Sequence, residues 1–185
     1  MRHTKLPIVL FTILLISGCA TGGKYPSNWA GKDERLHNCS ALNGRYNNFG
    51  ENAEYPKAKT FLSQIFQFPS VDWNFTVEVR ISVNDDSTVD ATIWDKKGVQ
   101  IIEESKLKFV CSNGKLFWEG DISELSEGRG KDNPLFGVQK VKIEISKGTD
   151  GALYYLNEEK GGGLVYMFLP IVYSGSTWTR FDAIH

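Results

Sequence analysis

A strict alternation of apolar and polar residues between Asn74 and Val83 constrains the fold of this chain more than any other feature. The apolar positions are Phe75, Val77, Val79, Ile81 and Val83. Because successive side chains of a β-strand point to opposite faces of a sheet, this pattern predicts a strand with one buried face and one solvent-exposed face. The Asn-Asp-Asp-Ser sequence at residues 84–87 then predicts a turn.

The same period recurs along the chain and predicts a mainly β domain. Further candidate strands lie at 88–93, 99–103, 106–111, 115–120, 138–146, 151–157, 164–173 and 177–183. Ser112-Asn113-Gly114 is a strong hairpin signal, and Gly161–Gly163 and Ser174–Ser176 are further turn candidates. About ten strands with short links predict an antiparallel meander closed into a barrel, with a β-sandwich as the alternative. One apolar face predicts a short helix near residues 57–66.

Residues 1–19 have the order of a bacterial export signal. A basic start at Arg2 and Lys5 precedes a largely apolar run at 6–16, shorter than the roughly twenty residues that a membrane span needs. The run ends in Ile16-Ser17-Gly18-Cys19, which resembles the lipobox of bacterial lipoproteins. The resemblance implies that the signal is removed and that Cys19 carries acyl chains such as palmitate. The alternative is an ordinary secretory signal with a chance cysteine.

The lipobox also predicts how the chain is organised. Residues 1–18 would be a lipoprotein signal peptide, residues 19–36 the lipidated Cys19 and a flexible tether, and residues 37–185 a single β domain. In lipoproteins an Asp after the acylated Cys commonly signals retention in the inner membrane. Here that position is Ala20, so the resemblance implies attachment to the periplasmic face of the outer membrane.

The two remaining cysteines, Cys39 and Cys111, are expected to form a disulfide. Paired cysteines are the usual state in exported proteins, and closing a loop of this length contributes about 4 kcal/mol in the chain-entropy interpretation. The alternative is two buried free thiols.

Residues for catalysis, metal binding or nucleic-acid binding are scarce. Without its signal the chain has only His37 and His185, and carries 19 basic against 22 acidic residues, a net charge of −3. No basic block, nucleophile elbow or cluster of metal-ligand spacing is present in the sequence. We therefore expect no nucleic-acid partner, no cofactor, no metal and no enzymatic activity; a hydrolase using carboxylates is the least favoured hypothesis.

Aromatic residues on the predicted strands are the candidate ligand-binding residues. If several lined one barrel interior, they would form an apolar pocket for a small molecule. The alternative is ordinary core filling. The candidates are Trp94, Trp118, Tyr155, Tyr166 and Trp178.

Two further resemblances concern the folded part. The run from Cys39 to Glu51 is similar to a Cys-x-x-Leu-x-Gly-x-Tyr-x-Asn-x-Gly-Glu opening of uncharacterised proteobacterial lipoproteins. Gly44-Arg45-Tyr46, together with Trp178-Thr179-Arg180-Phe181, is similar to the first and last strands of lipocalins. There Tyr46 would replace the usual Trp, and Arg180 would be the basic residue that packs across it. The Tyr and the early helix depart from the lipocalin pattern, so this resemblance concerns only the fold.

Anchor, strands and aromatics together predict a non-enzymatic lipoprotein of the outer membrane. It would bind an apolar or amphipathic ligand, such as a hydrophobic small molecule, in its β-barrel. The alternative is a structural or interaction lipoprotein that docks on an envelope protein complex, with the polar 121–137 loop as one contact surface.

Overall fold

The computed structural model describes residues 20–68, 71–72, 76–85, 87–121, 135–165 and 169–185. These residues form a mainly β fold with a short 3-10 helix at Cys39–Leu42 and a short α-helix, α1, at Leu62–Ile65. The strands are β1 (Ala20–Gly22), β2 (Gly44–Asn47), β3 (Phe49–Asn52), β4 (Thr60–Phe61), β5 (Thr76–Val83), β6 (Val89–Asp95), β7 (Gln100–Glu104), β8 (Val110–Ser112), β9 (Lys115–Asp121), β10 (Leu135–Lys147), β11 (Leu153–Val165) and β12 (Leu169–Phe181).

The described strands form two sheets. The larger has the order β4-β3-β12-β11-β10-β9-β8, and β1 adds to it by pairing with β12. The smaller has the order β2-β5-β6-β7. All neighbours are antiparallel except β1 and β12, which run parallel. The run from β8 to β12 is a meander, as predicted, whereas β3 next to β12 and β2 next to β5 join strands that are distant in sequence.

Apolar residues from both sheets pack into one shared core. From Val79 to Val83 in β5 and from Val89 to Ile93 in β6 every second residue is buried, which confirms the expected alternation there. It does not extend to the start of β5, where a register shift between Thr76 and Glu78 leaves Thr76 buried and Val77 partly exposed. In the described part of the chain neither sheet closes on itself, so the two packed sheets fit a sandwich-like arrangement and no closed barrel is seen. Buried contributors to this core include Val79, Ile81 and Ile93 from the smaller sheet and Leu116, Ile143, Leu153 and Phe181 from the larger one.

Asn48 joins the two sheets to α1. It is fully buried between β2 and β3, and its amide nitrogen donates to the carbonyl of Thr76 (3.1 Å). The Asn48 side-chain oxygen accepts from the Ser63 N–H (2.8 Å), and its backbone oxygen accepts from Leu62 N–H (2.9 Å). These bonds begin the helix only at residue 62. The helix is therefore shorter than the predicted 57–66, because Thr60–Phe61 pair with β3 instead.

The hairpin between β8 and β9 confirms the prediction from Asn113-Gly114. Both residues have positive φ, 50° and 70°, as a tight turn with the twist of the strands requires. The turn also packs closely, since a Cβ on Gly114 would lie 2.4 Å from the carbonyl oxygen of Leu36.

Two predicted turns lie within strands instead. Gly161–Gly163 belong to the interior of β11, and Ser174–Ser176 to the interior of β12. Gly161 pairs with Tyr173, and a Cβ at Gly161 would lie 2.6 Å from the ring of that tyrosine. The glycine there permits close approach of a side chain and does not turn the chain.

Candidate functional site

The inner face of β11 and β12 forms one wall of a cleft. Along β11 the side chains of Tyr155, Asn157 and Glu159 share this face, and Thr177 and Thr179 adjoin them on β12. The opposite wall comes from the segment between β3 and α1. The cleft has a volume of about 330 Å³, within the range of small-molecule sites. The residues that line it are Asn52, Tyr55, Lys59, Thr60, Gln64, Ile65, Gln67, Ile143, Tyr155, Asn157, Glu159, Thr177 and Thr179.

One part of the cleft is apolar. Ile65 and Ile143 belong to the buried core, and Tyr155 packs against the same core while remaining partly exposed. At the rim, 63% of Tyr55 is exposed. The Asn52 side-chain oxygen accepts from the backbone N–H of Tyr55 (2.8 Å), which holds the rim segment on β3.

The other part of the cleft is polar and incompletely hydrogen-bonded. Glu159 accepts from the amide nitrogens of Asn157 (2.8 Å) and Gln139 (3.5 Å). The side-chain oxygens of Asn157 and Thr179, however, are buried and have no partner in the described structure. A buried polar atom without a partner costs about 1–3 kcal/mol, so two on one wall call for an explanation.

A shallow groove continues from the cleft along β12. It shares Tyr55, Asn157, Glu159 and Thr177 with the cleft and extends past Tyr173 to residues 174–176. Burial raises the pKa of Tyr173, and the negative charge of Glu159 acts in the same direction. The Tyr173 hydroxyl therefore stays neutral, and the groove leads towards the point where β1 joins the sheet.

The opposite face of β11 and β12 is covered by the chain itself. Residues 23–36, which we name the N-terminal strap, lie across this outer face, although their polar, Gly-rich composition predicts a free tether. The strap's Asp33 N–H donates to the Lys147 carbonyl (2.9 Å), and the Thr149 N–H donates to the strap's Gly31 carbonyl (3.0 Å).

Four aromatic rings fix the strap in place. Trp29 stacks on Tyr154 with ring centres 5.5 Å apart, and Tyr25 meets the edge of Trp178 at 5.1 Å. The ammonium of Lys32 lies 4.2 Å from the centre of the Trp178 ring and pairs with a carboxylate of β10, Glu144, at 2.9 Å. Burial raises the pKa of Tyr25, whose hydroxyl donates to the Ala30 carbonyl.

Asp150 and Arg180 form an ionic cluster that contacts this aromatic group through the Tyr154 hydroxyl. Asp150 accepts from the Arg180 guanidinium (3.1 Å), the Tyr154 hydroxyl (3.2 Å) and the Ala152 N–H (3.2 Å). Burial of Asp150 favours a higher pKa, but these hydrogen bonds and the Arg180 charge outweigh it and lower the pKa of the carboxyl. Asp150 thus stays ionised, and the polar atoms of this cluster that the structure describes have partners.

The sequence-predicted aromatic residues do not gather in one cavity. Tyr155 lines the cleft. Trp118 belongs to the core between the sheets, and Trp178 lies under the strap. Trp94 is half-buried on the outer face of β6, with the Arg45 guanidinium 5.8 Å from its ring centre. Tyr166 lies outside the described residues, as do Cys19 and most of the 121–137 loop.

The predicted pairing of Cys39 with Cys111 is confirmed. The two form a disulfide with their Cα atoms 6.0 Å apart and a sequence separation of 72 residues. It ties the 3-10 helix to β8, at an edge of the larger sheet rather than at its middle.

Sequence reasoning missed Asn157 and Thr179, the two partnerless positions of the cleft. The signal lay in the period of two, since Asn157 and Thr179 are an even number of positions from Leu153 and Phe181, which face the core on the same side of the sheet. Burial of a polar side chain at such a position costs free energy unless the side chain forms a hydrogen bond.

The described residues offer little for other chemistries. They contain no group of three or more His, Cys, Asp or Glu residues that could hold a metal ion. No helix among them is long and apolar enough to cross a membrane. No match to a protein family, to a curated protein or to a solved structure was found for this chain.

Proposed function

We propose that this protein is a non-enzymatic lipoprotein, anchored through Cys19 to the periplasmic face of the outer membrane, that binds an amphipathic ligand in the cleft between α1 and the inner face of β11 and β12. The observation that carries the proposal is the pair of partnerless oxygens, on Asn157 and Thr179, next to the apolar surface of Ile65 and Ile143. A ligand whose entry displaces the side chains that cover these buried oxygens would donate a hydrogen bond to them and pack its apolar body against the two isoleucines.

The expected donor follows from the chemistry of the wall. The Asn157 oxygen can only accept, and Glu159 next to it is negatively charged. The Thr179 hydroxyl can donate or accept. A hydroxyl, amide or ammonium group on the ligand suits this wall better than a carboxylate or phosphate, which Glu159 would repel.

A sandwich-like domain suits such a role without a closed barrel. The ligand would enter between a sheet face and the short segment that covers it, where the cleft is open to solvent. The lipobox supports the location, because an acylated Cys19 would hold the cleft near the membrane, where amphipathic molecules are concentrated.

The test compares the small molecules extracted from three lipidated proteins: wild type, Thr179→Val and Ser146→Ala. Each variant replaces one hydroxyl group, by a methyl group in Thr179→Val and by hydrogen in Ser146→Ala. Thr179→Val removes the partnerless hydroxyl from the cleft. Ser146→Ala is the matched control, since its hydroxyl is also buried without a partner but lies away from the cleft. Each full chain is released from membranes with the same mild detergent, extracted with organic solvent and analysed by mass spectrometry.

We expect one compound to co-purify with wild type and Ser146→Ala and to fall about tenfold with Thr179→Val, the loss of one good hydrogen bond. Because anchor and detergent are common to all three, they cancel in the comparison. Identical extracts from the three proteins would contradict a ligand role for the cleft.

A further inference from the structure

Three long strands extend past the rest of the larger sheet. Strand β10 pairs with β9 only from Lys140 onwards, and β12 pairs with β1 only from Ser174 onwards. Beyond this level β10, β11 and β12 pair with one another alone, up to Leu135, Val165 and Leu169 among the described residues. At about 3.4 Å per residue the overhang is roughly 17 Å long.

The overhanging part has an apolar sequence. We name it the ribbon end and define it as residues 135–138, 164–165 and 169–172, which contribute Leu, Phe, Gly and Val; Leu and Val; and Leu, Pro, Ile and Val. No charged residue occurs in the sequence between Lys160 and Arg180. Val172 is 71% exposed, the second-highest exposure among the large apolar side chains. An uncharged, apolar stretch of sequence that includes an exposed valine favours an interaction surface at this end of the sheet.

The start of strand β1 lies beside the ribbon end. Ala20 is the Cα partner of Ser174, and because β1 and β12 run parallel, the start of β1 points the same way as the start of β12 at Leu169. Cys19 is bonded directly to Ala20, so its Cα lies about 3.8 Å from that of Ala20. Acyl chains on Cys19 would therefore begin level with the base of the ribbon end.

Two lysines, Lys140 and Lys160, lie at the same height along the sheet as Ala20. Lys160 is the Cα partner of both Ser174 and Lys140, so one row across the sheet contains Lys140, Lys160, Ser174 and Ala20. Both lysine side chains are exposed. Next to a membrane they would face lipid phosphates, at about 1 kcal/mol for each lysine close to an anionic surface.

We propose that the ribbon end is a membrane-docking element that enters the lipid interface beside the acyl chains of Cys19, with the Lys140–Lys160 row at the level of the lipid phosphates. This inference rests on the lipid anchor of the proposed function. The depth is limited, because no described residue pairs with the outer edges of β10 and β12 in the overhang, and unpaired backbone groups are excluded from hydrocarbon. The ribbon end thus reaches the headgroup and upper acyl region, where water still contacts its edges.

Docking at two points has an effect that the anchor alone lacks. Acyl chains hold a protein at the membrane but leave it free to rotate, whereas a second contact fixes its orientation. The cleft and its groove open along β12 towards the same row. Docking would therefore hold the groove close to the lipid surface.

The test places a small environment-sensitive fluorophore at a single site on the full lipidated chain. Val172→Cys reports on the ribbon end. Val110→Cys is the matched control, because it is a similarly exposed valine (66%) on β8, away from the ribbon end. Each labelled protein is reconstituted into vesicles of phosphatidylethanolamine and phosphatidylglycerol that contain lipids with a quencher on the upper acyl chain.

We expect a blue-shifted emission and strong quenching at residue 172, with neither at residue 110. Exchanging Lys140 and Lys160 for Gln should weaken the quenching at residue 172 while the protein remains on the vesicles. Equal, water-like emission at both sites would overturn the proposal, as would photocrosslinking from residue 172 in cells to one protein instead of lipid.

The anchor is read out separately. The intact mass of the protein reports acylation of Cys19, and flotation with vesicles reports membrane attachment. An acylated protein that floats but shows water-like emission at residue 172 overturns membrane docking and leaves the anchor intact. A protein that lacks acyl chains overturns the anchor itself.

Discussion

The two faces of strands β11 and β12 differ in how their side chains are covered. On the outer face, Tyr154 and Trp178 are covered by the N-terminal strap. On the inner face, beyond the core, Asn157 and Thr179 face a cleft and keep two oxygens without partners. The faces alternate residue by residue along the same strands, so the local backbone cannot account for the difference.

The comparison separates structural from functional use of a surface. On the outer face of β11 and β12 the chain supplies its own cover, including the cations Lys32 and Arg180 and the carboxylate of Asp150. On the neighbouring strand β10, the Ser146 hydroxyl is buried without a partner in the described structure. On the inner face, the side-chain oxygens of Asn157 and Thr179 have no partner among the described residues, and under the proposed function a ligand supplies one. We therefore expect changes on the outer face to reduce stability and changes on the inner face to alter binding.

The largest effect is expected for the Cys39–Cys111 disulfide, which belongs to neither face and stabilises the fold as a whole. Replacing Cys39 and Cys111 by Ala should lower the free energy of unfolding by about 4 kcal/mol, because the unfolded chain gains the entropy of an open loop. Guanidinium denaturation of variant and wild type measures this. The compound extracted from the cleft should be unchanged, and a loss below about 1 kcal/mol would contradict the entropic argument.

The next effect tests the outer face alone. Trp178→Ala should destabilise the protein by about 3 kcal/mol, since it removes a buried ring beneath the strap. Trp94→Ala is the control on the other sheet, where the ring is half-buried, and about 1 kcal/mol is expected there. If Trp178→Ala remained fully stable but lost the extracted compound, the assignment of the two faces would be reversed.

A smaller effect concerns the charge beneath the strap. Asp150→Asn should lower the free energy of unfolding by about 1 kcal/mol at pH 7, because the Arg180 pair is partly exposed. The pKa of Asp150 is lowered in the folded state, so its stabilisation is present above the unfolded-state value of about 4 and is lost as the pH falls through the folded-state value.

Urea denaturation of this variant between pH 7 and pH 2 follows the difference from wild type, which should shrink in acid. Asp85→Asn, in an exposed turn, is the control and should show no such trend. A difference that stays constant over this range would mean that the charge of Asp150 is not responsible.

The smallest effect has the opposite sign and tests the inner face. In ligand-free protein Thr179→Val should leave the stability unchanged or raise it by up to about 1 kcal/mol, because it removes a buried hydroxyl that has no partner. Thermal unfolding measures this, with Ser146→Ala as the comparison. A loss of stability at Thr179 would reveal a hydrogen bond there and weaken the argument for a ligand.

Features with a local cause were predictable from the sequence. The alternation ending at Val83 predicted β5, because burial of one sheet face imposes period two. Asn113-Gly114 predicted the β8–β9 hairpin, because few residues accept positive φ at both positions. The Cys39–Cys111 bridge followed from the two cysteines that remain beside Cys19 in a chain predicted to be exported.

Features that depend on distant contacts were not predictable in the same way. Gly161–Gly163 have the composition of a turn, and only the Tyr173 ring across the strand pair explains their place inside β11. Tyr25 and Trp29 lie in a polar stretch, and their packing depends on Tyr154 and Trp178 more than 100 positions later. The cleft likewise needs α1 held over β12 through Asn48, which no local pattern contains.

The parallel pairing of β1 with β12 has a consequence for the order in which the protein is made. Ala20 leaves the ribosome early, and its partner Ser174 is among the last residues to follow. Hairpins close locally and fast, whereas this pairing has to close a loop of nearly the whole domain. We therefore expect β1 to join the sheet last, and pulsed hydrogen exchange to show its amides protected after those of β5 and β9. Until then the segment that begins at Ala20 is unpaired. If Cys19 is lipidated as proposed, the enzymes that acylate it and remove the signal would therefore act on an unfolded segment even when the remaining domain has already folded.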